Sequence, residues 1–205
     1  MLIKSLPVGY LDTNCYIVTN DETRECVIID PGADSNAILD YIESNNLTPT
    51  AVFLTHGHFD HHMALGPVLD ATGVSAYVHS GDVAISDNRR QGQLKLDDDE
   101  RLLRYDEGDE INTAGMKFTV MSTPGHSPGS VTLRCQSALF TGDTLFRDYC
   151  GRTDFPGGNT EEMLASFRRL AALEGDFEVY PGHAESSTLN RERSFNHFMK
   201  LAISE

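Results

Sequence analysis

No apolar stretch in this 205-residue chain approaches the roughly 18 residues that a membrane-spanning helix needs, so an integral membrane protein is not expected. The N-terminus, MLIKSLPVGYLDTNC, carries one Lys but no apolar central segment and no small-residue cleavage site, which argues against export by that route. Basic charge is also scarce. Sixteen Lys and Arg face 31 Asp and Glu, a formal net charge of −15. Such a field repels phosphate backbones and anionic lipid alike, so neither nucleic acid nor a membrane surface is an expected partner. The nearest approaches to a basic patch, Arg89-Arg90 and Arg168-Arg169, are single pairs without interleaved aromatics. The four cysteines (Cys15, Cys26, Cys135 and Cys150) form no C-x-x-C and no framework spacing. Free thiols in a reducing cytoplasm follow, the first three packed in strands as small hydrophobes and Cys150 packed in a loop. There is no G-x-S-x-G elbow and no Cys-His pairing to suggest a covalent nucleophile. No repeat, low-complexity tract or Gly/Pro/Ser-rich linker divides the chain, which predicts one domain over residues 1–205.

What is present is an apolar fraction of 40%, enough for a real core. Short β-branched runs predict strands over 15–19, 26–30, 51–55 and 75–78, then over 116–122, 130–134, 138–141 and 177–180. Apolar residues at helical spacing predict helices over 36–44 and 61–71. A further helix is expected over 160–173, N-capped by Thr160 with Glu161-Glu162 in its first turn, and a last one from about residue 190. Residues 97–109 read as an acidic, polar connection, and Asp97-Asp98-Asp99-Glu100 as a solvated helix start rather than a calcium loop. Mostly antiparallel strands with interspersed helices predict a layered α+β fold.

Chemistry concentrates in Thr55-His56-Gly57-His58-Phe59-Asp60-His61-His62, where four of the chain's eight histidines directly follow an apolar strand. In extended backbone, residues i and i+2 project to the same side, so His56 and His58 converge, while Asp60 and His61 open a helix and face a neighbouring point. Imidazole and carboxylate without thiolate suit zinc, iron or manganese. Three further segments set one such side chain in a turn after a strand: Pro124-Gly125-His126, Thr141-Gly142-Asp143 and Pro181-Gly182-His183. Together they offer five His and two Asp, the inventory for two adjacent metals with one carboxylate to bridge them. His62 and His197 are expected on helix surfaces, and His79 in a structural role.

The order T-H-x-H-x-D-H, P-G-H, G-D, P-G-H resembles the metallo-β-lactamase-fold hydrolases, and within them the glyoxalase II-like branch. The resemblance runs from Asn14-Cys15-Tyr16 through Asn196 and includes Asp30-Pro31-Gly32, Thr141–Phe146, Cys150-Gly151-Arg152 and Glu192-Arg193. It implies a four-layer αβ/βα sandwich with two divalent metal ions, zinc or alternatively iron or manganese, at one edge. By carry-over, His56, His58 and His126 hold one metal, Asp60, His61 and His183 the other, and Asp143 bridges. Asp30 would buttress the ligand loop, Asp60 would also orient the attacking hydroxide, and Arg152 would contact substrate. Two such metals hold hydroxide at neutral pH and polarise the carbonyl it attacks, which suits a thioester whose thiolate leaves unaided. The implied substrate is a small thioester such as S-acyl glutathione. The chain departs from glyoxalase II in ending about 22 residues after His183, without the C-terminal helical segment that adds basic glutathione contacts, and in reading Asn196-His197-Phe198 where the family writes N-P-F. Two alternatives within the superfamily are a lactonase and a persulfide dioxygenase with a single iron on His56, His126 and Asp143.

Overall fold

The computed structural model describes residues 1–83 and 100–204. Two six-stranded sheets carry the fold. The first contains, in spatial order, β1 (Leu2–Val8), β2 (Thr13–Thr19), β3 (Glu25–Ile29), β4 (Thr48–Phe53), β5 (Ala76–His79) and β6 (Leu102–Tyr105). The second runs β14 (Ser187–Thr188), β13 (Glu178–Pro181), β10 (Ala138–Gly142), β9 (Val131–Cys135), β8 (Met116–Ser122) and β7 (Glu110–Thr113). A two-stranded ribbon of β11 (Leu145–Phe146) and β12 (Tyr149–Cys150) stands apart. Helices α1 (Ser35–Ser44) and α2 (Leu65–Thr72) belong to the first half, and α3 (Thr160–Ala171), α4 (Leu189–Phe195) and α5 (His197–Ser204) to the second.

Alternation along the strands builds the layers. On β2, Cys15 and Ile17 pack with Ile38, Ile42, Val68 and Leu69 of the first two helices. Tyr16 and Val18 point the other way, into a core shared with Phe118, Val120, Leu133 and Phe140 of the second sheet. A strand buried on both faces carries a continuous apolar run, here Cys15 to Val18, and all seven residues of β2 are buried. On the far side, Leu139 and Val179 meet Met163, Phe167 and Leu170 of α3 and Met199 of α5. Helix, sheet, sheet, helix is the αβ/βα sandwich.

Seven of the eleven strand pairs among the described residues are antiparallel, in line with the expectation, but both main sheets are mixed. Pairs β3–β4, β4–β5, β5–β6 and β10–β13 are parallel, and these pairings align chain exits at one edge. Ile29 pairs with Phe53, so Asp30 leaves its strand beside the segment that becomes Thr55 and His56. Gly142 pairs with Pro181, so Asp143 and His183 emerge side by side.

Other differences are local. β1 is an edge strand containing Pro7, whose missing N–H is harmless at an edge. β6 lies within the stretch read as polar connection and β7 directly follows it, and each ends a sheet, where charge is tolerated. The helix expected over 61–71 is a 3-10 turn (Phe59–His61) followed by α2, and the last helix is two, α4 and α5. Asn159, not Thr160, caps α3, its side chain accepting from Glu161 N at 2.9 Å and Glu162 N at 3.3 Å. His62 is buried, not on a helix surface, whereas His197 is exposed. Arg89-Arg90 and Asp97-Asp98-Asp99 lie outside the described residues. No described helix is long and apolar enough to cross a membrane.

Candidate metal centre

The seven expected ligands meet at one edge of the sandwich, beyond the ends of β4, β8, β10 and β13. Ligand atoms of His56, His58 and His126 lie within 4.8 Å of one another, as do those of Asp60, His61 and His183. Asp143 joins the sets. Its Oδ1 is 3.4 Å from His61 Nε2, while its Oδ2 is 3.4 Å from His126 Nε2 and 3.7 Å from His183 Nε2. His58 Nδ1 sits 2.8 Å from His126 Nε2.

Each of four imidazoles is anchored by the nitrogen that faces away from this point. His61 Nδ1 is 2.9 Å from Asp30 Oδ2, His126 Nδ1 is 2.7 Å from the Arg152 carbonyl, and His183 Nδ1 is 3.0 Å from the Leu11 carbonyl. His56 Nδ1 lies 3.2 Å from Thr55 Oγ1, which donates its own proton to Asp30 Oδ2 at 2.6 Å. In each case the anchored nitrogen is the one placed to keep its proton in a neutral ring, so that Nε2, once His61 and His183 have shed their second proton, presents a lone pair inward.

Three of the inward-facing atoms lack a hydrogen-bond partner. His56 Nε2, His61 Nε2 and Asp143 Oδ1 are buried and make no hydrogen bond. A buried polar atom left unpaired costs on the order of 1–3 kcal/mol, so three converging acceptors fit a cation and little else. Gly182 keeps the space open, since a Cβ there would fall 2.8 Å from His61 Cε1 and collide with Asp143 Oδ1. His62 Nδ1 is also unpaired, but belongs to none of the ligand groups.

The electrostatics divide the two sets. Burial, reinforced by His126, pushes His58 down to about 4, and burial with His61 and His126 holds His56 well below the usual imidazole range. Burial acts the same way on His61, but the Asp30 and Asp143 carboxylates overcome it and raise this pKa well above normal. His183 is likewise raised against its burial, by its hydrogen bond to Asp60. Asp60 is held low despite burial by that bond and by His61, and Asp143 chiefly by His61.

Asp30 adopts a left-handed conformation with φ of 52°. Its carboxylate thereby takes Thr55 N at 2.7 Å as well as Thr55 Oγ1 and His61 Nδ1. The Arg152 side chain is turned to its own loop. Its Nε and Nη2 each donate to Asp154 at 2.8 Å, and its guanidinium lies 4.4 Å from the Phe155 ring centre. Phe155 in turn packs edge-on against His58 and His126, at 5.6 and 5.9 Å between ring centres. The basic pair in α3 is not displayed as a patch, because Arg169 is paired with Glu107 and donates to the Ser122 carbonyl. All four cysteines are free thiols, three of them buried.

Sequence reasoning overlooked three residues at this edge. Thr13 donates to Asp60 Oδ2 at 3.1 Å, Phe155 covers two histidines, and Asp82 is fully buried between two ligand loops. The last carried a signal, since Gly81-Asp82 follows a strand just as Gly142-Asp143 does.

Residues 8–183 match the metallo-beta-lactamase superfamily. The chain is 35% identical over 205 residues to the probable metallo-hydrolase YqgX of Bacillus subtilis, covering 96% of each. It is 31% identical over 210 residues to the hydroxyacylglutathione hydrolase GloC of Haemophilus influenzae, covering 97% of this chain and 98% of that one. The crystal structure of TTHA1623 in a di-iron-bound form superposes with a TM-score of 0.84 at 33% identity, covering 95% of this chain and 99% of that one.

Proposed function

The chain belongs to the metallo-beta-lactamase superfamily, and on that premise we propose that it is a binuclear metal-dependent hydrolase of small thioesters, S-acyl glutathione among them. The observation that carries this reading is the convergence of three buried, unpartnered acceptors, His56 Nε2, His61 Nε2 and Asp143 Oδ1, between two complete ligand sets. His56, His58 and His126 would hold one metal, Asp60, His61 and His183 the second, and Asp143 both. A single-iron oxygenase on His56, His126 and Asp143 has no need of Asp60, His61 and His183, yet these are gathered as closely as the first set. The identity of the metal is open on chemical grounds to zinc or iron, and the similarity to a protein with a di-iron form keeps both in view.

When bound, the metals lower the pKa of water and polarise a carbonyl oxygen. Asp60, fixed by Thr13 Oγ1 at 3.1 Å and by His183 Nε2 at 3.3 Å, orients the attacking water. Its depressed pKa makes it a poor proton store, so its role is alignment. Phe155 sets an apolar ring edge-on against His58 and His126, on that side of the site. Arg152 is exposed and paired with Asp154, a partner it would have to leave to meet an anionic substrate arm. A thiolate is stable enough to depart without a dedicated acid.

The test is thiol release from S-acyl glutathione and from thioesters of small uncharged thiols by the full-length metal-loaded protein. Turnover of both types, with modest preference for glutathione, is expected. Failure to hydrolyse any thioester, with oxygen uptake on a persulfide instead, overturns the reading in favour of the dioxygenase. Hydrolysis restricted to cyclic esters would favour the lactonase.

A further inference from the structure

We infer that Asp82 is a positioning residue for one metal position only, the one formed by His56, His58 and His126, where it clamps the two loops that carry those ligands to each other. The inference rests on the seven-ligand reading above and concerns a residue outside that set. Asp82 ends the 3-10 turn Ser80–Asp82 that follows β5, and its side chain is completely buried. Its Oδ2 accepts from Gly57 N at 2.7 Å, and Gly57 lies between His56 and His58. The same oxygen accepts from Ser127 Oγ at 2.6 Å, next to His126, and Oδ1 accepts from Gly129 N at 2.6 Å on the same loop. One carboxylate thus binds the loop after β4 to the loop after β8. These donors are neutral, and each bond to the charged acceptor is of the stronger class.

The packing around Asp82 is as tight as the bonding. A Cβ on Gly129 would lie 2.6 Å from Asp82 Cγ, and one on Gly57 would lie 3.0 Å from Asp82 Cβ. The two glycines let both backbones close on the carboxylate. Asp30 does the corresponding service elsewhere, taking Thr55 and His61. Each half of the centre therefore leans on a buried carboxylate, Asp82 for the first position and Asp30 for the second, with Asp30 also reaching His56 through Thr55. An amide cannot replace Asp82, because three donors converge on two oxygens and an Asn would turn its NH2 toward one of them.

The experiment is a competition titration of the full-length chain with Zn2+ against a chromophoric chelator, giving two dissociation constants. His58→Ala, which removes a ligand of the first position only, identifies which constant belongs to it. Asp82→Asn should weaken that same constant by about 10- to 100-fold, the usual scale for residues that support ligands, and leave the other near wild type. Asp30→Asn should do the reverse or weaken both, since it also supports His56 through Thr55. Melting of the metal-free variants separates these shifts from loss of the fold. If Asp82→Asn does not fold, Ser127→Ala, which deletes one of the three donors, should move the same constant in the same direction by less. Asp82→Asn or Ser127→Ala with both constants unchanged, or with both weakened by an equal factor, overturns the inference. A wild type that binds fewer than two Zn2+ overturns the seven-ligand reading beneath it.

Discussion

Two regions of the molecule supply the candidate centre, and they hold their side chains in different ways. The first is one short loop after β4, which contributes His56, His58, Asp60 and His61. The second is a set of three separate strand ends, which contribute His126, Asp143 and His183. Side chains steady the first region, Asp30 on His61 and Thr55 beside His56. Backbone carbonyls steady the second, that of Arg152 on His126 and that of Leu11 on His183. The difference follows from geometry. Four ligands on six residues leave the loop's own backbone little freedom to orient each ring, so outside side chains must do it. Ligands placed one per strand end are positioned by the sheet, and a neighbouring carbonyl suffices. The first region should then be sensitive to the identity of its supporting residues, and the second to the path of its backbone.

The largest expected effect lies where the regions meet. Asp143→Ala should weaken both metal positions, by more than the roughly 100-fold typical of a supporting residue, and abolish most activity, whereas His58→Ala should mainly affect one. Metal content per chain reads this directly, and a wild-type value in Asp143→Ala would remove Asp143 from its bridging place.

Next in size is Asp30→Asn. It leaves one of Thr55 N, Thr55 Oγ1 and His61 Nδ1 without its acceptor, and metal affinity should fall about 10- to 100-fold. Leu11→Ala, in the second region, keeps the carbonyl that holds His183 and should bind metal as the wild type does. Equal losses in the two variants would erase the contrast between side-chain and backbone support.

A smaller effect concerns pH and sharpens the contrast between metal positions. His61 and His183 have raised pKa values in the metal-free protein, so a proton must leave before either nitrogen can bind metal. His56 and His58 are depressed and already neutral at pH 7. Affinity at the Asp60–His61–His183 position should therefore rise with pH through neutrality, by up to about tenfold per pH unit for each proton displaced. The other position should change less above pH 6. Zinc titrations at pH 6, 7 and 8 check this, and parallel curves for both positions would contradict it.

The smallest effect belongs to Arg152→Ala. Its carbonyl, which holds His126, survives the substitution, so metal content should stay unchanged. If the guanidinium leaves Asp154 to meet an anionic thioester, KM for that substrate alone should rise, with neutral thioesters untouched. An equal loss on both substrate types would make the Arg152–Asp154 pair a structural feature of the loop.

Much of this was legible in the sequence because the ligands announce themselves locally. His56, His58, Asp60 and His61 are crowded after one strand, and His126, Asp143 and His183 each follow a glycine that ends another. The sandwich was reachable through the same motifs. Which pairs run parallel was not, because parallel and antiparallel neighbours bury the same apolar runs, and pairs such as Ile29 with Phe53 join residues far apart in sequence. The edge strands β1, β6 and β7 were missed for the opposite reason, since half-exposed edge strands lack a continuous buried run, and β6 fell inside the stretch read as connection. His62 looked like a surface residue because helical spacing was extended backward over a 3-10 turn, and its burial depends on tertiary packing. Asp82 was passed over although Gly81-Asp82 follows a strand as Gly142-Asp143 does, because that signal alone does not separate a buried carboxylate from a solvated one; its donors, Gly57, Ser127 and Gly129, come from two distant loops.

The most direct test of the central claim is metal analysis of the full-length protein, purified without chelator or added metal, on the sample whose thioester hydrolysis is measured. Two metal ions per chain, with thiol release that disappears when they are removed and returns when they are restored, is the predicted result. One iron per chain with oxygen consumption and no thiol release would contradict it.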